Sequence, residues 1–437
     1  MNGPTRRGCI VAMMLILAAA GCDSSDDDPS TSSGSGDGSG DDDAADDDTS
    51  DDDADDDTWA PLPDDDAADV PSDYPEPYDP AARGPYQVGV RTYVFVDDSR
   101  WIDSPAGGRR VLTEVWYPAF DSAADWPRDV PRTFFNGWDD VILSVFKAIG
   151  VPQSEIDNFD IPRDVARDAP LYPWGGPFPL VLLSHGFAGI RFQDFTLCEY
   201  LASHGYIVVA PDHTKNAFVA AFPEGPVIFN PLATPWSYAH RLKDLSFLID
   251  VFADLNAADP DGFWTGRVDL SRVGAIGHSF GGTAVLQDTK RDARIGAAVD
   301  LASFMFPFLP DGFDTPLMFM IGSEDRTMGD TEPLIRLNFA QSPAPKYFLE
   351  FFDGGHYTFT DGCILIPTFF GEGDGCGYER RDDTNEPFYF IEHDLAFEII
   401  NGYITAFFGL HLKGQDGMRA FLGENHYPGE IDYAHFE

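Results

Sequence analysis

From about Ala81 the apolar positions fall into two kinds of run. "YQVGVRTYVFVD" (86–97) and "RRVLTEVWYP" (109–118) are rich in β-branched and aromatic residues, with a Gly-containing turn between them. That pattern predicts an antiparallel pair of strands. Beyond residue 178, short continuous apolar runs take over: "PLVLLSHG" (179–186), "YIVVAPDH" (206–213), "RVGAIG" (272–277), "RIGAAVD" (294–300), "PLMFMIGSED" (316–325) and "YFLEFFDGGH" (347–356). Segments of helical spacing lie among them: "FQDFTLCEYLASHG" (192–205), "YAHRLKDLSFLIDVFADL" (238–255) and "GGTAVLQDT" (281–289). "HDLAFEIINGYITAFFGLHL" (393–412) reads as a closing helix. Continuous apolar strands alternating with helices predict an α/β chain with a doubly wound, mostly parallel sheet covered on both faces. The antiparallel pair stands at its N-terminal side. Residues 134–178 read as a partly helical excursion, a lid or a surface insertion. No internal repeat is visible.

Charge divides the chain differently. The formal net charge is −46, and 23 Asp and one Glu without a single Lys or Arg lie between Asp23 and Pro80. With Arg6 and Arg7 ahead of that segment, the remaining 357 residues carry −24. An acidic balance of this size excludes nucleic acid as the expected partner, because phosphate binding needs a basic footprint. The Asp/Ser/Gly segment cannot bury enough apolar surface to offset ordering, and its like charges extend it. It reads as a disordered tether over 23–80. Its dense carboxylates could attract Ca2+ or Mg2+ weakly, but the defined spacing of an EF-hand loop, with Gly at the turn and a terminal Glu, is absent, so a solvated tether is the expected reading.

Ahead of the tether, Arg6 and Arg7 precede the apolar run "CIVAMMLILAAAGC", too short for a comfortable membrane span. The run ends in "LAAAGC" and resembles a bacterial lipoprotein signal, with Cys22 as the lipidated first residue of the mature protein. Ala19 stands where such signals usually carry Leu, and an ordinary signal peptide cut nearby is the alternative. Either reading exports the chain. The expected organisation is thus a signal over 1–22, the tether over 23–80 and a catalytic domain over 81–437.

Within that domain, "VGAIGHSFGGTAV" (273–285) holds the pattern G-x-S-x-G at Gly277–Gly281. An apolar strand before and small residues after suit a tight strand-to-helix turn. Such a turn projects the Ser279 hydroxyl above the sheet at a helix N-terminus, where developing negative charge is favoured. A serine hydroxyl needs a base, and the base needs an orienting carboxylate. The order Ser, acid, His leaves His356, His393, His411, His426 and His435 as candidate bases. His356, in a glycine turn after a strand, is the choice. His393 and His411 belong to the closing helix, and His426 and His435 to a terminal tail. Two strand-end carboxylates compete for the third role, Asp325 and Asp300, with Asp325 preferred. Backbone N–H groups of Phe280 and Phe187 are the expected oxyanion donors. His185 and His278 read as turn and packing residues. No cofactor or metal is needed for this chemistry.

"GHSFGG", "LLSHGFAG", "YLASHGYIVVAPDH" and "VGVRTYVFVD…LTEVWYPA" together resemble the α/β-hydrolase group of platelet-activating-factor acetylhydrolases and dienelactone-hydrolase-like bacterial proteins. Secreted lipases and cutinase-like polyester hydrolases are further relatives. The resemblance runs over roughly 86–415. It implies the α/β-hydrolase fold and hydrolysis of carboxylic esters. It also splits on the acid: acetylhydrolase-like members carry it at the position of Asp300, cutinase-like members at that of Asp325. Dienelactone hydrolases proper use cysteine, where this chain has Ser279.

Cys363 and Cys376 lie 13 apart beyond His356. In an exported chain they are expected to form a disulfide, stapling the loop that carries the base and contributing ~3 kcal/mol. Cys198 reads as a buried thiol. Aromatics make up 14% of the chain, 36 of them Phe. Most are core. An apolar groove for an acyl or polymer chain is the sharper expectation, with Phe304 near its mouth. The sequence thus points to an exported, lipid-anchored serine esterase or lipase acting on small-molecule, lipid or polyester esters. A catalytically silent surface lipoprotein of the same fold is the alternative. Oligomeric state is left open.

Overall fold

The computed structural model describes residues 79–100, 107–303, 315–329, 332–368 and 373–437. The expected signal with Cys22, all but the last two residues of the tether, and Phe304 lie outside the described residues.

Among the described residues, ten strands form one sheet. In chain order they are β1 (Gln87–Asp97), β2 (Arg109–Ala119), β3 (Ala166–Arg167), β4 (Phe178–Ser184), β5 (Ile207–Asp212), β8 (Val268–His278), β9 (Ile295–Leu301), β10 (Leu317–Gly322), β11 (Lys346–Phe351) and β14 (Ile431–Phe436). Their spatial order is β14-β11-β10-β9-β8-β4-β5-β2-β1-β3. The six strands from β5 to β11 are parallel. The β1–β2 pair is antiparallel, as its pattern predicts, and joins the sheet through β2 and β5. Hairpins β6 (Val219–Phe222)–β7 (Gly225–Ile228) and β12 (Tyr378–Arg380)–β13 (Pro387–Tyr389) stand apart.

Continuous apolar strands fill both faces. Along β4, Leu180 and Leu182 pack into one core, while Val181 and Leu183 pack into another on the opposite face. Helices α4 (Thr234–Ala258), α5 (Phe280–Arg291) and α6 (Glu332–Gln341) cover the first face. Helices α3 (Phe195–Ser203) and α8 (His393–His411) cover the second, the latter burying Ile400, Ile404 and Phe407. Removing each such side chain from water is worth about 1.5–3 kcal/mol.

The excursion after β2 is partly helical, with α1 (Asp139–Ala148) and the single turn α2 (Gln153–Ile156). It is more than a surface insertion. Phe134, Phe135, Phe146 and Phe159 are all buried in the second core. Short helices α7 (Gly362–Leu365) and α9 (Met418–Leu422) complete the chain. The tail expected to carry His435 is instead β14, an antiparallel edge strand on β11. "IDYAHF" buries Ile431 and packs Tyr433 against Tyr403, too short an alternation to announce itself.

The parallel register brings functional segments to one edge. Gly277 at the end of β8 lies opposite Ser184 of β4 and Asp300 of β9. Loops after β4, β8, β10 and β11 therefore meet at the carboxyl ends of the strands, where open α/β sheets place their sites.

Candidate active site

Ser279 caps α5 with φ 53° and ψ −123°, a conformation that strains any residue with a side chain. Its neighbours explain why the turn can exist. A Cβ on Gly277 would stand 2.3 Å from the Gly281 carbonyl oxygen, and one on Gly281 would stand 1.9 Å from that of Ser184. The Ser279 N–H is fixed on the Leu301 carbonyl at 2.8 Å. The hydroxyl remains on the wall of a pocket.

His356 opens a turn of 3-10 helix after β11 and lines the same pocket. Its Nδ1 stands 2.9 Å from Asp325 Oδ2, which leaves Nε2 for the pocket. Burial pulls the imidazole pKa down. The charge and hydrogen bond of Asp325, with the charge of Asp374, outweigh burial, so the net direction is up from 6.5. Ser279 and His356 are brought to one cavity, but no hydrogen bond joins Oγ to the imidazole.

Asp300, the competing acid, is buried and makes no hydrogen bond to His356. Its Oδ2 accepts the Ser303 hydroxyl at 2.7 Å, and its Oδ1 has no hydrogen-bond partner. A Cβ on Gly282 would fall 2.3 Å from that Oδ1, which places the carboxyl beneath the nucleophile's helix. Burial raises its pKa to about 7. Asp325 reaches the histidine because it stands three residues beyond β10, in a loop beside that of His356.

Asp374 carried no signal in the sequence. Its Oδ1 accepts the backbone N–H groups of His356 (3.0 Å) and Arg326 (2.9 Å), and its Oδ2 accepts the Thr327 hydroxyl at 2.6 Å. One carboxylate thus ties the base loop to the acid loop. Cys376, two residues on, is bonded to Cys363 as expected, so the segment is covalently stapled. Cys198 is free and buried.

The loop after β4 supplies the other wall. Among the described residues, neither the Phe187 N–H nor the Phe280 N–H takes an internal hydrogen bond. His278 Nε2 donates to the His356 carbonyl at 3.0 Å, and Nδ1 accepts from Gln193 Nε2 at 3.2 Å. Burial drives its pKa well down, so it braces the base loop as a neutral ring. His185 is likewise a neutral turn residue whose Nε2 accepts the His213 N–H at 3.1 Å.

Beneath this loop runs a second Ser–His–Asp chain. Ser184 Oγ stands 2.9 Å from His213 Nε2, and His213 Nδ1 stands 2.9 Å from Asp244 Oδ2. All three side chains are fully buried, and none lines the pocket, so substrate has no access to them. Burial and Arg241 hold the His213 pKa at about 3, which suits a fixed neutral bridge rather than a base. Nothing in the linear pattern marks these partners, which lie 29 and 31 positions apart.

The pocket spans about 730 Å3 with the solvent at its open mouth included. Phe135, Phe146 and Phe159 from the excursion face Phe187, Phe192 and Phe218 from the sheet side. No Lys, Arg, Asp or Glu is among its described lining residues. An uncharged aromatic wall of this kind receives apolar groups and offers nothing to a phosphate or carboxylate.

Comparison with known proteins agrees with the motifs. The chain is 23% identical to platelet-activating factor acetylhydrolase of Gallus gallus over 284 residues, which cover 55% of this chain and 64% of the relative. It is 25% identical to cutinase est2 of Thermobifida alba over 181 residues, covering 40% and 52% respectively. The chain therefore spans about half to two thirds of the length of these curated relatives. A ferulic acid esterase from Streptomyces cinnamoneus superposes with a TM-score of 0.58 at 26% identity, covering 75% of this chain and 91% of that one. The model of the family described as platelet-activating factor acetylhydrolase, isoform II, matches residues 76–225 and 263–373, more than half of the chain. By that match the chain belongs to the isoform II family of platelet-activating factor acetylhydrolases.

Proposed function

We propose that this protein is a serine hydrolase cleaving apolar carboxylic esters through an acyl-enzyme. The observation that carries the reading is one pocket holding a strained, glycine-flanked Ser279 and an imidazole oriented by Asp325. The names of its relatives, acetylhydrolase, cutinase and ferulic acid esterase, support the same class. His356 Nε2 takes the Ser279 proton as Oγ attacks the ester carbonyl. The N–H groups of Phe280 and Phe187 receive the oxyanion. Asp325 stabilises the imidazolium, which then protonates the leaving alcohol. Water, activated by the same imidazole, releases the acid. The aromatic pocket takes the apolar acyl or aromatic side of the ester, and its uncharged lining favours neutral esters over free acids.

Export and anchoring through Cys22 belong to the same proposal, with the tether as a spacer. A fluorophosphonate tests the nucleophile. Wild type labels once and Ser279→Ala does not, and turnover of p-nitrophenyl esters is lost with labelling. A folded wild type that neither labels nor hydrolyses esters would leave the fold as a binding scaffold. Anchoring is tested separately by mass spectrometry of the mature N-terminus: Cys22 carries acyl chains, and Cys22→Ser releases the protein from membranes.

A further inference from the structure

Behind the oxyanion loop lies a cation that bonds no carboxylate among the described residues. Arg241, on α4, is fully buried. Its Nη2 donates to the Gly186 carbonyl at 2.8 Å, and Nη1 donates to the His185 carbonyl and to Ser184 Oγ (3.2 Å). Nε donates to Asn216 Oδ1 at 2.8 Å, and Nη2 also reaches that oxygen. Among the described residues, every acceptor on it is neutral. The nearest carboxylate, Asp244, is already taken by Arg109 through Nε (2.6 Å) and Nη2 (2.7 Å) and by Arg100 Nη1 (2.6 Å). Arg100 is also paired with Asp97. The adjoining His185 and His213 are neutral.

A buried charge without a counter-charge is costly, and mutual attraction within a pair is what usually offsets it. Here the guanidinium has a defined direction. The Gly186 carbonyl and the Phe187 N–H belong to one peptide plane, with the two bonds pointing opposite ways. That carbonyl also accepts His185 Nδ1–H at 2.7 Å and the Gly189 N–H at 3.1 Å, so the plane is held by three donors, and the guanidinium is the one that adds a positive charge and polarises the N–H toward the pocket. The same guanidinium carbon lies 5.0 Å from the centre of the Phe280 ring, the residue that bears the other donor. We propose that Arg241 is a positioning residue for the oxyanion hole, whose missing counter-charge is the oxyanion of the transition state. This rests on the serine-hydrolase reading above.

Two variants of the full chain test it. Arg241→Met removes the cation. Asn216→Asp keeps the side chain's shape and places a carboxylate on the guanidinium, neutralising it within an intact fold. Both are expected to lower kcat roughly ten- to hundredfold with KM within about threefold. Affinity for a trifluoromethyl ketone, which forms an oxyanion on Ser279, falls by the same factor. Affinity for the matching secondary alcohol, which forms none, stays level. Arg241→Lys restores part of kcat. A merely structural arginine would leave Asn216→Asp at wild-type kcat, or would weaken ketone and alcohol alike, and either result overturns the proposal. Should Arg241→Met fail to fold, Asn216→Asp and Arg241→Lys decide alone. A wild type that hydrolyses no ester would instead remove the reading on which it rests.

Discussion

Two carboxylates that end neighbouring strands differ in what an amide would do to them. Asp325 Oδ1 accepts the Met328 N–H at 2.8 Å, while Oδ2 faces His356 Nδ1. In Asp325→Asn the amide oxygen stays on Met328, so the NH2 group faces the imidazole. Nδ1 must then accept, the ring proton moves to Nε2, and the base can no longer take the serine proton. A loss of about 10³–10⁴ in kcat follows. Asp300→Asn has no such consequence, because the carboxyl touches Ser303 and not His356. Its effect is on stability. Burial lifts Asp300 from 3.8 to about 7, so the folded chain holds this proton more tightly than the unfolded one. Stability is greatest below pH 3.8 and erodes as pH climbs to about 7, by on the order of 4 kcal/mol in all and roughly 2–3 kcal/mol between pH 5 and 8. For a domain of this size that is a Tm difference of about 3 °C. Asp300→Asn removes that slope and melts higher than wild type at pH 8, with turnover within about threefold. Paired measurements of p-nitrophenyl butyrate hydrolysis and melting at pH 5 and 8 check both halves. A folded Asp300→Asn without activity beside an active Asp325→Asn would refute the assignment of the acid.

Further outcomes follow from the same geometry. In the proposed mechanism His356 works as the neutral ring, and the charge of Asp374 helps hold its pKa up, so Asp374→Asn should move the acid limb of kcat/KM to lower pH. A limb unchanged in a full pH–rate profile would deny Asp374 an electrostatic role. Phe146, stacked 5.6 Å from Phe218, closes part of the pocket. Phe146→Ala should raise the octanoate-to-butyrate ratio of kcat/KM about fivefold or more while costing about 3–5 kcal/mol of stability, read by an ester panel and denaturant melts. If the proposed tether is a spacer, deleting residues 23–78 should leave soluble ester turnover unchanged. A severalfold change on deletion, or restoration by Ca2+ in the intact chain, would give that segment a catalytic part.

What could be read along the chain was whatever local geometry demands. Ser279 needs glycines two positions to either side, because backbone lies within 2.3 Å of where their Cβ atoms would be, and that requirement is written as G-x-S-x-G. The continuous strands and the closing helix were legible for the same reason, since burial on both faces leaves an apolar run. The acid was not decidable in this way. Asp300 pairs across β9 and β10 with Phe319, and Asp325 lies only six positions further along, so both stand at one sheet edge. Loop reach, which no local pattern encodes, brings only the second to His356. Arg241 was hidden by its setting: in "YAHRLKDL" it reads as the polar side of an amphipathic helix, although it is fully buried. Its partners come from segments 25 to 57 positions away. Asp374 was hidden likewise, 48 positions from Arg326 and 18 from His356. The pattern is physical. The turn that carries Ser279 is strained and leaves a motif, whereas the charges around the pocket act across the fold. Burying the latter is tolerable only because distant carbonyls and amides converge on them.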